Sequence, residues 1–136
     1  MNKLAIPLVT AITLFSATSY AIEQKAQKTE SGIQITTLKL GTGAQPNNKD
    51  TVKVHYRGTT TDGKEFDSSY KRGEPATFPL NRVIACWTEA VQTMKVGGKA
   101  RLQCPSDLAY GSRGIPGVIA PDATLVFEVE LIDILK

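Results

Sequence analysis

The residues that could carry out chemistry gather in one stretch, residues 52–70, with the sequence VKVHYRGTTTDGKEFDSSY. Apolar and polar residues alternate as far as Tyr56, and Asp62-Gly63 then favours a tight hairpin turn. The returning strand carries Phe66 and Asp67, so the hairpin would set an acidic side chain among aromatic rings. No obvious nucleophile accompanies them, and the chemistry therefore has to be one that needs none.

The other reactive side chains form no familiar catalytic or metal-binding set. His55 is the only histidine, which is too few for a zinc site, and it has no evident partners for a catalytic triad. Cys86 and Cys104 lie too far apart in the sequence for a Cys-x-x-Cys redox motif, which favours a structural role. Gly97-Gly98-Lys99 lacks the rest of a phosphate-binding loop and is interpreted as a helix stop. We predict neither a metal nor a cofactor.

Aromatic residues point instead to a binding cavity. They come from different segments, on faces predicted to point inward or in a long loop: Tyr56, Phe66, Trp87, Tyr110 and Phe127. Aromatic residues at strand spacing also pack as ordinary core, and spacing alone leaves that interpretation open. Asp67, beside Phe66, is the feature that a plain core does not explain.

Most of the chain that would position these residues has the spacing of strands. Alternation is clear in residues 51–58, in KARLQC, and in TLVFEVELIDIL, whereas the proline in ATFPL limits that segment to an edge strand. One segment has helical spacing instead, because four apolar residues recur at i, i+3, i+4 and i+7: Trp87, Ala90, Val91 and Met94. Residues 105–122 are rich in glycine and proline and form a long loop, a feature that is usually functional. We predict an α+β fold, an antiparallel sheet wrapped around a single short α-helix.

Composition and the N-terminus set the class of protein. The chain has 136 residues, 41% of them hydrophobic and 21% charged, which is typical of one globular domain. Its net charge of +3 is small and scattered, which argues against nucleic acid as a partner. Residues 1–21 have the pattern of a cleavable signal peptide. An uncleaved membrane anchor is the alternative, although the apolar run is shorter than the ~20 residues that a span needs. We expect export to the periplasm or medium, a flexible lead-in over residues 22–30 and one domain over residues 31–136.

Four separated motifs resemble the FKBP-type peptidyl-prolyl cis-trans isomerases: VKVHYRGTTTDGKEFDSSY, VIACWTEAVQTMKVGGKARL, LAYG and APDATLVFEVELIDI. The resemblance covers residues 31–136. Among the members of the family, the chain is similar to bacterial exported proteins such as the macrophage infectivity potentiator proteins. It implies an enzyme that accelerates rotation about X–Pro bonds in proline-containing peptides and unfolded exported proteins. It also implies inhibition by the macrolides rapamycin and tacrolimus.

The resemblance assigns site residues by motif position. Trp87 would form the floor beneath the substrate proline, and Tyr56, Phe66 and Phe127 would form walls. The Ile84 N–H and the Tyr110 hydroxyl would bind substrate carbonyls, with Asp67 near the rotating bond. Further contacts would come from the residues Phe78 and Val83 and from the loop tip, Ile115, Val118 and Ile119.

This chain departs from the family at several positions. Cys86 replaces a usual glycine before Trp87, Ala120 replaces a common proline, and Ile115 stands where some members have histidine. None of these removes a cavity wall. Related dimeric members carry a long helical N-terminal domain, whereas about nine residues separate signal from domain here, so we expect a monomer.

A disulfide between Cys86 and Cys104 is a further expectation. Export leads to a compartment where disulfides persist. Cys104 ends the strand KARLQC on its inward face, and Cys86 lies where the helix begins, so a sheet wrapped over this helix would bring the two together. Two buried free thiols are the alternative.

Two other classes of function stay open. One is a non-catalytic module of the same fold that holds proline-containing segments as a chaperone. The other is a Cys/His hydrolase, for which a thiol-blocking reagent would be the test.

Overall fold

The computed structural model describes residues 26–136, in which seven strands form one antiparallel sheet. The strands are β1 (Ala26–Lys28), β2 (Gln34–Lys39), β3 (Thr51–Thr60), β4 (Glu65–Ser68), β5 (Ala76–Pro79), β6 (Lys99–Cys104) and β7 (Leu125–Leu135). Their order across the sheet is β1-β2-β6-β7-β3-β4, and β5 pairs with the first half of β3 alongside β4. The predicted signal peptide, residues 1–21, lies outside the described residues.

Two α-helices interrupt the strands. The first, α1 (Ser69–Arg72), is a single turn that follows β4 directly, and the second, α2 (Ala85–Val91), is the predicted amphipathic helix. Helix α2 is shorter than its apolar spacing suggested, because the N–H groups of Thr93 and Met94 bond to carbonyls three residues back. Met94 is nevertheless buried. No helix within residues 26–136 has the length and apolarity needed to cross a membrane.

The core lies between α2 and the inward face of the sheet. The alternation predicted for β3, β6 and β7 is confirmed, since every second residue is buried: Val52, Val54, Tyr56, Ala100, Leu102, Cys104, Leu125, Phe127, Val129 and Leu131. Trp87, Ala90 and Val91 of α2 belong to the same buried cluster. The predicted α+β fold is therefore confirmed, with α1 as an addition that the sequence did not indicate.

Strand β1 differs from the flexible lead-in predicted over residues 22–30, of which 22–25 lie outside the described residues. Ala26–Lys28 are exposed but pair with β2 in antiparallel register. Beyond the strand, the Ser31 hydroxyl donates to the Glu89 carboxylate at 2.6 Å, which ties this segment to α2. Backbone hydrogen bonds to the edge of a sheet can hold exposed residues in a strand. Such a strand cannot be predicted from amino-acid composition.

A disulfide joins Cys86 to Cys104, as the sequence predicted. Cys86 is the second residue of α2 and Cys104 is the last residue of β6, and their Cα atoms lie 5.8 Å apart. Both residues are fully buried. The bond therefore fixes the start of α2, one residue before Trp87, to the end of a central strand.

Reduction of this disulfide should destabilise the fold by about 3 kcal/mol, since the bond removes unfolded-state entropy from a loop with a sequence separation of 18. Guanidinium denaturation with and without a phosphine reductant measures the difference. A Cys86→Ala/Cys104→Ala double variant is the control, and its midpoint should not respond to reductant. Two alkyl groups added to denatured, unreduced protein would contradict the bond.

Candidate functional site

One cavity of about 470 Å³ opens beside the start of α2. It is called the aromatic cavity here, and ten residues line it: Tyr56, Phe66, Asp67, Phe78, Arg82, Val83, Ile84, Trp87, Tyr110 and Phe127. Nine of these were predicted from the sequence, and Arg82 was not. The described residues 26–136 include no group of three or more His, Cys, Asp or Glu side chains placed as metal ligands.

The indole of Trp87 lies at the centre of the aromatic packing. Three rings meet it edge to face, with centroid distances of 5.1 Å to Tyr56, 5.6 Å to Phe78 and 5.4 Å to Phe127. Such perpendicular contacts between aromatic rings are individually favourable. Only 4% of the Trp87 surface is exposed. The ring is therefore fixed by its neighbours and forms a rigid floor of the aromatic cavity.

Gly58 on β3 allows two of the aromatic walls to approach the sheet. A Cβ at this position would lie 2.7 Å from the Phe66 ring and 2.8 Å from the Phe127 ring, closer than real Cβ contacts permit. Gly58 also pairs with Phe127 across β3 and β7. Any side chain here would push apart the two rings, whose centroids are 5.7 Å apart. Strand alternation could have placed Gly58 on the inward face but not beneath these rings.

Asp67 is the one carboxylate that lines the cavity, and three donors hold it. The Tyr56 hydroxyl donates to Oδ2 at 2.5 Å, and the Arg72 guanidinium and the Ser68 N–H donate to Oδ1 at 2.8 and 2.9 Å. Arg72 also donates to the Tyr56 hydroxyl at 3.0 Å, which closes the network. Arg72 belongs to α1, so this short helix supplies the counter-ion. Arg72 was not predicted from the sequence, although its place five residues after Asp67 was visible.

These contacts set the protonation states in the cavity wall. Burial acts to raise the pKa of Asp67, but the hydrogen bonds from Tyr56 and Arg72 and the positive charge of Arg72 outweigh it and hold that pKa below its usual range. Burial, and then the hydrogen bond to Asp67, raises the pKa of Tyr56. Burial, and then the charge of Asp67, raises the pKa of Tyr110. At neutral pH the wall therefore presents one carboxylate and two neutral phenols.

Helix α1 is anchored to β3 by Ser69, which is fully buried. Its hydroxyl accepts from the Tyr56 N–H at 2.7 Å and lies 2.8 Å from His55 Nδ1. The His55 ring stacks on Tyr70 with centroids 4.5 Å apart, on the side of β3 opposite Tyr56. His55 does not line the cavity, and its ring contacts Ser69 and Tyr70 instead.

The start of α2 offers a hydrogen-bond donor to the cavity. Ile84 is the N-cap residue, and its carbonyl accepts from the N–H groups of Trp87 and Thr88. Within residues 26–136, no hydrogen bond from the Ile84 N–H is found, as is usual for the first N–H groups of a helix. Tyr110 adds a phenol from the long loop and is 38% exposed.

The tip of the long loop lies outside the cavity. Ile115 and Ile119 form an isolated bridge with two backbone hydrogen bonds of 2.8 Å. Ile119 is 3% exposed and packs in the core, whereas Val118 is 53% exposed, and both line a separate depression. The structure thus gathers nine of the predicted site residues around the aromatic cavity, and the three residues of the loop tip do not line it.

Asp67 should titrate below its unfolded value of about 3.9, because its partners favour the ionised form. Its stabilising contribution is then present above that value and is lost as pH falls through the folded pKa. Carboxyl-carbon NMR titration measures the midpoint directly. In Arg72→Gln the midpoint should move upward, since a hydrogen bond and a positive charge are removed. A wild-type midpoint at or above the unfolded value would contradict the network.

Related sequences are found among known proteins. A family model described as FKBP-type peptidyl-prolyl cis-trans isomerase matches residues 42–132. The chain is 57% identical over 116 residues to the FKBP-type isomerase FkpA of Aeromonas hydrophila, covering 85% of this chain and 43% of that protein. It is 49% identical over 105 residues to the isomerase Mip of Coxiella burnetii, covering 77% and 46%.

A solved structure shows the same fold. The crystal structure of FkpA from Escherichia coli superposes with a TM-score of 0.79 at 46% identity, covering 86% of this chain and 55% of that one. The chain spans less than half the length of the Aeromonas and Coxiella proteins that it matches. The resemblance noted in the sequence is confirmed. The chain belongs to the family of FKBP-type peptidyl-prolyl cis-trans isomerases.

Proposed function

We propose that this protein is a peptidyl-prolyl cis-trans isomerase that acts on proline-containing peptides and unfolded exported proteins. One observation carries the proposal: an apolar aromatic cavity with a rigid Trp87 floor and a single ionised carboxylate in its wall. The lining residues include no serine, cysteine or histidine. A reaction that forms no covalent intermediate suits such a site.

Rotation about an X–Pro bond is slow because resonance gives the C–N bond partial double-bond character, with a barrier of about 18–20 kcal/mol. The planar ground state is more charge-separated than the twisted transition state, in which resonance is lost. An apolar cavity withholds water from the polar planar form and so favours the twisted one. Walls that fit the twisted proline add to this preference.

Each lining residue has a role in this proposal. The proline ring rests on Trp87, between walls formed by Tyr56, Phe66, Phe78, Val83 and Phe127. The Ile84 N–H and the Tyr110 hydroxyl donate to substrate carbonyls, and the raised pKa of Tyr110 keeps that donor protonated. Asp67 stays ionised and interacts with the changing dipole of the rotating bond. Its lowered pKa makes it a poor proton donor.

Export is part of the proposal. The sequence pattern of residues 1–21 supports a signal peptide, and the buried Cys86–Cys104 disulfide suits an oxidising compartment. The monomeric state expected from the sequence stays a prediction.

The activity test is a protease-coupled or NMR exchange assay on an Ala-Leu-Pro-Phe peptide. Wild type should accelerate the exchange, and Asp67→Leu should lower kcat/KM about tenfold, equivalent to about 1.4 kcal/mol of transition-state stabilisation. Tyr110→Phe should also lower it, because one carbonyl donor is removed. Asp133→Leu, an exposed residue near the far end of β7, is the control.

A wild-type rate no faster than buffer at micromolar protein would contradict the isomerase proposal. If the peptide still bound in that case, the domain would be a non-catalytic module that holds proline-containing segments.

Rapamycin and tacrolimus should bind in the aromatic cavity, since both carry a pipecolinyl ring that resembles proline. Free ligand at 100-fold above Kd should add about 2.7 kcal/mol to the stability of the folded state, and several degrees to Tm. Differential scanning fluorimetry measures the shift. Trp87→Leu removes the aromatic floor but keeps an apolar side chain, and it should lose most of the shift. No wild-type shift at saturating ligand would overturn this prediction.

A further inference from the structure

Of the two charged residues that line the aromatic cavity, one is paired within the protein and the other is not. Two lining residues carry charge, Asp67 and Arg82. Asp67 accepts from Arg72 at 2.8 Å and from the Tyr56 hydroxyl, so its charge is largely balanced within the protein. Arg82 makes no ion pair and no side-chain hydrogen bond with any group in residues 26–136. With Asp67 balanced by Arg72, the positive charge of Arg82 is the one left without a partner among the residues that line the cavity.

Arg82 stands apart from the other arginines in this respect. Arg57, Arg72 and Arg101 each lie within 3.1 Å of a carboxylate oxygen. Arg113 also has no partner in the described part of the chain, but it lines the separate depression at the loop tip. Arg82 is thus the unpaired arginine that borders the cavity itself.

The backbone of Arg82 is held in place although the residue is exposed. It ends the short 3-10 helix Leu80–Arg82, whose first residue is fully buried. The Leu80 N–H donates to the Asp50 carbonyl at 2.9 Å, and the Thr88 hydroxyl donates to the Leu80 carbonyl at 2.7 Å. The backbone of Arg82 therefore has a fixed place on the rim of the cavity, two residues before Ile84. Its charge faces solvent and not a protein carboxylate.

We propose that Arg82 is a specificity-determining residue that makes the cavity prefer X–Pro segments with an acidic side chain next to the proline. The proposal rests on the isomerase function proposed above and adds the substrate class. A carboxylate beside a proline seated on Trp87 would lie at this rim, where Arg82 can pair with it. Asp67 would repel such a substrate less than an unpaired carboxylate would, because Arg72 balances its charge.

A single ion pair at a partly exposed rim has a small effect. We expect kcat/KM for a Glu-containing peptide to exceed that of its Gln counterpart by about two- to fivefold at low ionic strength. Salt screens charges that are exposed to solvent, so the preference should decrease as the salt concentration rises to about 1 M.

The experiment compares the peptides Ala-Glu-Pro-Phe and Ala-Gln-Pro-Phe, and Ala-Leu-Pro-Glu and Ala-Leu-Pro-Gln, in the NMR exchange assay. The readout is the Glu/Gln ratio of kcat/KM within each pair, so a general loss of activity in a variant cancels. Arg82→Gln should bring the ratio to about one, and Arg82→Lys should retain most of it. Lys28→Gln makes the same change in net charge at the opposite edge of the sheet and should leave the ratio unchanged.

The outcomes separate this proposal from the proposed function. If Ala-Leu-Pro-Phe is not accelerated, the isomerase function fails. If that peptide is accelerated but wild type shows no Glu preference in either pair, the assignment of Arg82 is overturned. It is equally overturned if the preference persists in Arg82→Gln. A melting temperature for each variant confirms that the comparison is made between folded proteins.

Discussion

The packing of three rings around Trp87 is the constraint on which the rest of the structure depends. Tyr56, Phe78 and Phe127 come from three strands, and each meets the indole edge to face. These contacts hold α2 against the sheet and at the same time leave one side of the indole to form a cavity floor. The Cys86–Cys104 disulfide acts at the same point, because it fixes the helix one residue before Trp87. The contacts that hold the core together are therefore the same ones that form the floor of the site.

A second constraint is the cost of placing a carboxylate in an aromatic wall. Burial disfavours the ionised form, so the charge persists only where donors compensate for it. Here a phenol and a guanidinium do so, and the guanidinium comes from a helix of a single turn. Helix α1 is in turn anchored through the buried Ser69 hydroxyl to the backbone of Tyr56. The charge of Asp67 thus depends on a chain of contacts that begins outside the cavity.

Much of this could be predicted from local pattern, because strand alternation has a period of two and helices a period near 3.6. The inward faces of β3, β6 and β7 and the apolar face of α2 follow from these periods. Nine lining residues were identified once the motifs had suggested a family. The prediction was least accurate at ends and edges. Backbone pairing makes β1 a strand although none of its residues is buried, and hydrogen bonds to carbonyls three residues back end α2 before Met94.

The sequence by itself determined the fold class and the pair of cysteines, since both follow from residue type and spacing. It also gave five of the aromatic residues as candidates, whereas Phe78 came only from the family resemblance. Tertiary structure alone decided which charges balance one another. Arg72 reaches Asp67 and Arg82 does not, although all three are charged residues of neighbouring segments. It also decided that Ile119 is buried while Val118 is exposed. Asp67 and Arg72 are only five residues apart, but strand periodicity does not show that the chain turns into a helix between them. The burial of Ile119 depends on its packing against core residues remote in sequence, and periodicity within a segment carries no information about such distances.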